Sequence, residues 1–377
     1  MRKQRFRVYI FTLLLLFASA IQAISQELPP FTHTAFVDVG DHPAAVIAGD
    51  FDGDGDFDVV AANDGDGEGR TITLLANEGD AHFAVLATIE TGHEPIALAT
   101  ADWNQDGHLD LAVANHKGDD ITILINAGDG ELAESSRVPL SSNSYPFMMA
   151  PGDFDGDSDE DLALVSYEGT GAVIILSNDG SGMFEQTDTV SISGNPYTIV
   201  SGDFDGDGDL DLAAAKYDLA EVVVLSNEDG DFSVTAQLGV GEEPWSLASG
   251  DFDGDGDLDL ASANEGSNDV SILSNDGHGG FAASHSIRVG DEPYSIAAGD
   301  VDGDDDIDLV VANEESHDVS ILTNDGSGTF AVSGTILVGQ EPWSIYLSDL
   351  DGDRDLDIIT ANADSDNVSI VINHTDA

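Results

Sequence analysis

The sequence predicts an all-β fold, a seven-bladed propeller built from four-stranded antiparallel blades. Three observations predict it. One unit of about fifty residues recurs seven times. Within each unit, apolar and polar residues alternate at period two between Asn-Asp-Gly-type turns. The last unit is divided between the two ends of the chain.

The repeat is read most easily from residues 244–260, PWSLASGDFDGDGDLDL, in which a Pro stands seven residues before the first Asp of an acidic loop. The same grammar begins at Pro43, Pro95, Pro146, Pro196, Pro293 and Pro342. The first acids, Asp50, Asp102, Asp153, Asp203, Asp251, Asp300 and Asp349, are separated by 52, 51, 50, 48, 49 and 49 residues. Inside one unit the strands follow in order. In the sixth, an alternating stretch at 295–298 leads into the acidic loop, and LVVAN at 309–313 leads out of it. A polar turn gives VSIL at 319–322, and the turn NDGSG at 324–328 gives a fourth strand over 330–338. No segment sustains a 3.6-residue apolar period without turn residues breaking it.

The ends predict closure. The last unit has a second strand after Asp357 and a third at 368–372, but no fourth. Residues 31–40 match 330–339 in length, and Gly40 precedes Asp50 by ten residues, as Gly339 precedes Asp349. The segment 31–39 is therefore expected to lie beside 368–372 in the last blade, with Phe31, Ala35 and Val37 on one strand face. That closes a ring and leaves no sheet edge unpaired. The propeller domain is expected over 31–377.

The residues before it read as an export signal. Arg2, Lys3, Arg5 and Arg7 precede a short apolar run at 8–18 and the small residues Ala18, Ser19 and Ala20. A signal peptide over 1–25 is expected, cleaved between 20 and 25, then a short leader over 26–30. The protein is then secreted or periplasmic, with an uncleaved N-terminal anchor as the alternative. The run is short for a membrane span, and no membrane insertion is expected after cleavage. No Cys occurs, so disulfides are excluded and metal ions are left as the cross-link available to an exported chain.

Charge narrows the partners. The formal net charge of −64 becomes −68 without the four basic residues of the signal, and Arg70, Lys117, Arg137, Lys216, Arg288 and Arg354 are the only cations left. Such a surface repels nucleic acid and anionic membranes, which are bound through Lys and Arg. A salty habitat would select a similar balance. Disorder is excluded because the hydrophobic fraction is 41% and patterned. A monomer is expected.

The acidic loops carry the strongest chemistry. Their pattern is Asp-x-Asp-x-Asp-Gly-x-x-Asp, and acids at positions one, three and five converge as the chain curls. Position six needs a residue that accepts positive φ, position seven offers its carbonyl, and the Asp at nine closes the site from the next strand. Such oxygens suit Ca²⁺, about one ion per blade. The candidate ligands are Asp50, Asp52, Asp54, Asp56 and Asp58 in the first loop and Asp102, Asn104, Asp106, His108 and Asp110 in the second. The third has Asp153, Asp155, Asp157, Asp159 and Asp161; the fourth Asp203, Asp205, Asp207, Asp209 and Asp211. The fifth has Asp251, Asp253, Asp255, Asp257 and Asp259; the sixth Asp300, Asp302, Asp304, Asp306 and Asp308; the seventh Asp349, Asp351, Asp353, Asp355 and Asp357. Ser158, Asp305 and Arg354 replace Gly at position six in the third, sixth and seventh loops, and strain is expected there. The loop is similar to the front of an EF-hand, but the flanking helices and the Glu at position twelve are missing.

On these loops and this spacing the chain resembles FG-GAP or VCBS-type repeats of the integrin-α N-terminal-like propeller superfamily, over residues 31 to about 373. The resemblance implies Ca²⁺ in the hairpin between the first two strands of each blade, at the positions named. It implies function poorly, because the scaffold hosts adhesion proteins, lectins and enzymes.

Two loop sets are expected on the face opposite the metal loops. One carries Phe147, Tyr197, Trp245, Tyr294 and Trp343 after the blade-leading Pro, where the first two blades have Ala44 and Ile96. Around a central opening these rings suit sugar stacking or peptide gripping, although packing between neighbouring blades is the favoured reading. The other set holds Asn63, Asn115, Asn264, Asn313 and Asn362, interrupted by Ser166 and Lys216 beside Tyr167 and Tyr217, and Lys216 is taken with the five rings as a candidate ligand residue. The expected function is a calcium-binding adhesion or binding module for a glycan or an extracellular protein. A polysaccharide-processing, lyase-like enzyme is the alternative, with His42 and His93 beside Tyr167, Tyr217 or Lys216 as acid and base. Six basic residues are few for a polyanionic substrate, and no nucleophile motif or phosphate-cradling loop occurs.

Overall fold

Period-two alternation needs a partner strand on each side, and each repeat supplies its own. In the computed structural model, which describes residues 31–166 and 171–375, seven four-stranded antiparallel sheets are arranged in a ring. The expected signal segment and Tyr167 lie outside the described residues. Blade 1 consists of Pro43–Gly49, Asp58–Asn63, Thr71–Asn77 and Phe83–Glu90, counted outward from the axis, and blades 2 to 6 repeat that order. The first strands of neighbouring blades lie against one another around the axis.

Burial follows position in the blade. Every residue of each second strand is buried, because the next blade covers one face and the previous blade the other. These strands accordingly read as nearly continuous apolar runs after a leading Asp. The fourth strands alternate, as in Phe83–Glu90, with one face to the protein and one to water. The core is seven clusters, one between each pair of blades. Position two of each acidic loop enters the cluster shared with the following blade: Phe51, Trp103, Phe154, Phe204, Phe252, Val301 and Leu350 are all buried. Burying a side chain of this size contributes about 2–3 kcal/mol. Four of these rings meet a Phe at the start of the following blade's fourth strand edge to face, Trp103 on Phe184 at 5.7 Å and Phe252 on Phe330 at 5.4 Å among them.

The ring closes as expected. Thr32–Asp38 pairs antiparallel with Asn367–Ile372, with Val37 opposite Val368 and Thr32 opposite Ile372, and completes the blade of Pro342–Ser348 and Asp357–Asn362. The expectation that Phe31, Ala35 and Val37 share one face is corrected. A bulge between His33 and Ala35 inserts one residue, so Phe31 packs toward blade 6 beside Val301, while Val37 and Val39 pack toward blade 1. The same shift occurs between the third and fourth strands of the other six blades. It lets one outer strand serve two cores.

Candidate functional site

Each first strand runs from its Pro to the acidic loop, and the second runs back, so Gly49 pairs with Asp58 at one end and Pro43 with Asn63 at the other. All seven acidic loops therefore share one face of the ring. The Pro-aromatic segments share the opposite face.

In every acidic loop the Asp at position nine is buried and holds the hairpin together. Its Oδ2 accepts the N–H of position two, from Phe51 through Leu350, at 2.7–3.1 Å. Its Oδ1 accepts the N–H of an Asn within one residue of the end of the third strand, at 2.7–2.9 Å. Burial pushes these carboxyls up, to about 6 for Asp58, Asp110, Asp161, Asp211 and Asp259 and to about 7 for Asp308 and Asp357. The Asn is as regular. Asn77, Asn126, Asn178, Asn227, Asn275, Asn324 and Asn373 each donate from Nδ2 to the position-two carbonyl of the preceding blade, at 2.7–3.0 Å. A second N–H reaches the position-eight carbonyl of the Asn's own loop at 3.0–3.3 Å. Sequence reasoning missed this role, although the Asn recurs in all seven repeats.

The remaining acids curl as the pattern requires. Position one accepts loop N–H groups on both oxygens, as Asp203 does from Gly206 at 2.8 Å and Gly208 at 3.1 Å. Position five accepts the N–H of position seven, for example Asp209 onto Asp207 at 3.0 Å. Position six is left-handed in all seven loops, at φ 92–101° in the four glycine loops counting Gly107 and Gly208, and at 73°, 71° and 84° for Ser158, Asp305 and Arg354. Those three turns carry the expected strain.

Positions one, three and nine come together. One oxygen each from Asp50, Asp52 and Asp58 lies within 4.8 Å of the others, as do those of Asp153, Asp155 and Asp161 and of Asp203, Asp205 and Asp211. In the fifth loop the group is Asp251, Asp253 and Asp255. In the seventh, Asp351 and Asp353 meet His374, a candidate ligand that the repeat pattern does not mark. A Ca²⁺ fits this donor set. Oδ1 of Asp205, Asp253 and Asp302, all at position three, is buried without a hydrogen-bond partner, an oxygen that a cation would satisfy. The same third position is pushed up by burial first and neighbouring acids second in Asp52, Asp155, Asp253, Asp302 and Asp351, except that in Asp52 a backbone hydrogen bond ranks between the two. Two position-seven side chains bond outside their own loop: Asp209 accepts the N–H of Asp229 at 3.2 Å, and Asp159 bonds Gln105 of the second loop.

On the opposite face the rings form an arc around the axis. Phe147 and Tyr197 lie 4.4 Å apart between centroids, Tyr197 and Trp245 4.6 Å, Trp245 and Tyr294 4.0 Å in a stack, and Tyr294 and Trp343 5.5 Å. Tyr217 joins against Tyr197 and Trp245, His116 against Phe147, and His42 against Trp343. The five rings are half-buried and line a cavity of about 170 Å³ on the axis, together with Ala44, Ile96, Asp64 and Glu94. Packing and cavity lining are thus one arrangement.

Lys216 is elsewhere. It is 1% exposed and its Nζ pairs with Glu221 at 2.9 Å, five residues on. The equivalent Asn264, Asn313 and Asn362 bond the residue five on in the same way, at 2.8–2.9 Å. Ser166 donates to the Ser144 carbonyl. His42 and His93 have separate carboxylate partners, Asp64 at 2.6 Å and Glu68 at 3.7 Å.

The FG-GAP-like repeat family matches the chain six times, over residues 50–113, 102–164, 153–214, 203–262, 251–311 and 300–360. Each match runs from one acidic loop into the second strand of the next blade. The chain belongs to that family. No curated protein matches it in sequence. Among solved structures it is similar to BBS1N in its complex with ARL6DN, at 14% identity and a TM-score of 0.65 over 92% of this chain and 98% of that one. It is also similar to a putative 6-phosphogluconolactonase from Bacteroides uniformis, at 16% identity and a TM-score of 0.65 over 80% and 87%. A protein from Lactobacillus plantarum gives 17% identity and a TM-score of 0.62 over 80% and 86%. At these identities the likeness is one of fold.

Proposed function

We propose that this FG-GAP-like repeat protein is an exported, calcium-loaded binding module that takes a glycan or an extracellular protein at the aromatic mouth of its ring. The observation that carries the reading is the cavity on the axis, walled by Phe147, Tyr197, Trp245, Tyr294 and Trp343 from five successive blades. Half-buried aromatic rings around a concavity offer contact area with little side-chain entropy to lose. BBS1N, a propeller of this fold, is in complex with a protein, which supports a protein as one ligand class.

Calcium would act as the cross-link of the acid face. Position-one, -three and -five carboxylates would hold it, with the position-seven carbonyl and Asp at nine, and the ion would supply charge neutralisation in a face where thirty-five Asp and Glu occupy the seven loops. Metal analysis of purified protein in calcium-containing buffer should find about seven ions, the sixth and seventh loops binding most weakly. Two or fewer would overturn it.

Ligand binding is tested through tryptophan. Trp245 and Trp343 line the cavity while Trp103 is buried in a blade interface, so two of the three report on the mouth. A glycan array and an extracellular protein panel should yield a ligand that changes the emission, and Trp245→Ala should abolish its binding while the fold is retained. A ligand that binds the variant unchanged would place the site elsewhere.

A further inference from the structure

The cavity is walled chiefly by aromatic and apolar side chains, and the acids around it outnumber the bases. No Lys or Arg lines it, whereas Asp64, Glu94 and His116 do; Asp64 is paired with His42 at 2.6 Å and Glu94 with Lys117 at 3.4 Å. Behind Tyr217 and Tyr294 stand Glu265 and Glu314, with Glu243 and Glu292 close enough to Glu265 to raise its pKa, after burial, to about 7. Oε2 of Glu265 is buried and has no hydrogen-bond partner. Glu314 is held by Trp343, whose Nε1–H donates to it at 3.2 Å, so a carboxylate is bound directly to a cavity ring. The serine oxygens that line the cavity are engaged as acceptors: Ser246, Ser295 and Ser344 accept the N–H of Ile296, Ile345 and Val46 in the following blades.

Aromatic faces carry negative charge density, and acids behind them reinforce it. Such a chamber repels phosphates, uronates and other anions. Its serine oxygens already accept hydrogen bonds within the blade joints, which leaves the rings and the acids as the groups that meet a ligand. A poorly hydrated cation with an apolar skin suits the aromatic rings and the acids behind them together.

Resting on the reading of this mouth as the ligand site, we infer that the aromatic cavity receives an organic ammonium group, held by cation–π contact with Trp245, Tyr294 and Trp343 and by the surrounding carboxylates. A free quaternary amine and a methylated lysine of a partner protein present the same head, and the test separates them.

Choline and its neutral isostere 3,3-dimethyl-1-butanol are titrated into the calcium-saturated full protein at fixed ionic strength, with calorimetry and tryptophan emission as readouts. Choline is expected to saturate and to bind about tenfold or more tightly than the isostere. Trp245→Ala should remove the response and Trp245→Phe should keep part of it. Glu265→Gln should weaken choline several-fold and leave the isostere unchanged. A trimethyllysine peptide that outcompetes choline assigns the cation to a partner protein; the reverse order assigns it to a free solute. Equal binding of choline and isostere, or no binding of either, overturns the inference. A neutral glycan that alters Trp emission while choline does not overturns the cation class and leaves the mouth as the ligand site.

Discussion

The two faces of the ring differ in how faithfully they repeat. On the acid face, the Asp at position nine and the Asn beyond the third strand make the same bonds in all seven blades. On the other face, five blades present an aromatic ring and two present Ala44 and Ile96. What repeats seven times is needed by every blade, and therefore belongs to the architecture. What is present in only part of the ring is not required by every blade, and it is on this part that the proposed ligand site rests.

The largest effect expected on this comparison comes from opening the ring. Removing residues 26–39 should strip the outer strand from the last blade, expose the Asn367–Ile372 edge and leave Val301 without Phe31. Aggregation on size-exclusion chromatography and a melting temperature lower by more than about 10 °C are expected. A monomer melting like the parent would show that closure is not structural.

Next comes metal removal. Excess chelator should lower the melting temperature strongly, and high salt should restore part of it, because the Debye length falls to about 3 Å at 1 M. The apoprotein should also respond to pH in an unusual sense. Position-nine carboxyls rise to about 6 or 7 in the fold, above their unfolded value, so the folded chain binds more protons between the two. Apoprotein stability should therefore increase as pH falls from 8 to 5, while the calcium-loaded form, whose ligands must be deprotonated, should change in the opposite direction. Melting curves at the two pH values, with and without chelator, read both signs. An unchanged curve in chelator would break the assignment of the loops as structural metal sites.

A smaller effect should follow Asp259→Ala. It orphans the buried N–H groups of Phe252 and Asn275, at a cost of about 1–3 kcal/mol for each. Denaturant titration should show the loss even in chelator, which separates the hydrogen-bond role of position nine from any metal role.

The smallest concerns Lys216. Lys216→Asn restores the residue used at this place by five other blades and should alter stability by no more than about 1 kcal/mol, with Glu221 accepting from the new amide. Lys216→Ala leaves Glu221 without its partner and should cost more. If ligand binding changed with Lys216→Asn and stability did not, the buried-pair reading of this residue would be wrong.

Much of this was legible in the sequence because it repeats. The spacing of Asp50 to Asp349 fixes the blade number, and the matched lengths of 31–40 and 330–339 predict the closing strand. The face of Phe31 was not legible. A bulge adds one residue to one strand, and period-two alternation reverses across it without any mark in composition. Lys216 stood out as an exception to a column of Asn, yet its signal was in the pair: the residue five on is acidic or amide in the Asn blades and Glu221 here. His374 was not legible because its place after the recurring Asn holds Glu78, Ala127, Asp179, Glu228, Asp276 and Asp325 in the other blades, and nothing in the sequence marks it as lying near Asp351 and Asp353.

The Asn side chain that reaches back to the preceding blade also determines how the molecule comes apart. In an open stack, a terminal unit has one neighbour and can fray after a single joint fails. Here Asn77 of blade 1 is tied to the Leu350 carbonyl of blade 7, as each other Asn is to the blade before it, so no unit is terminal. Releasing any blade breaks two joints together. The ring obeys a periodic boundary condition, and loss of structure has no end at which to start.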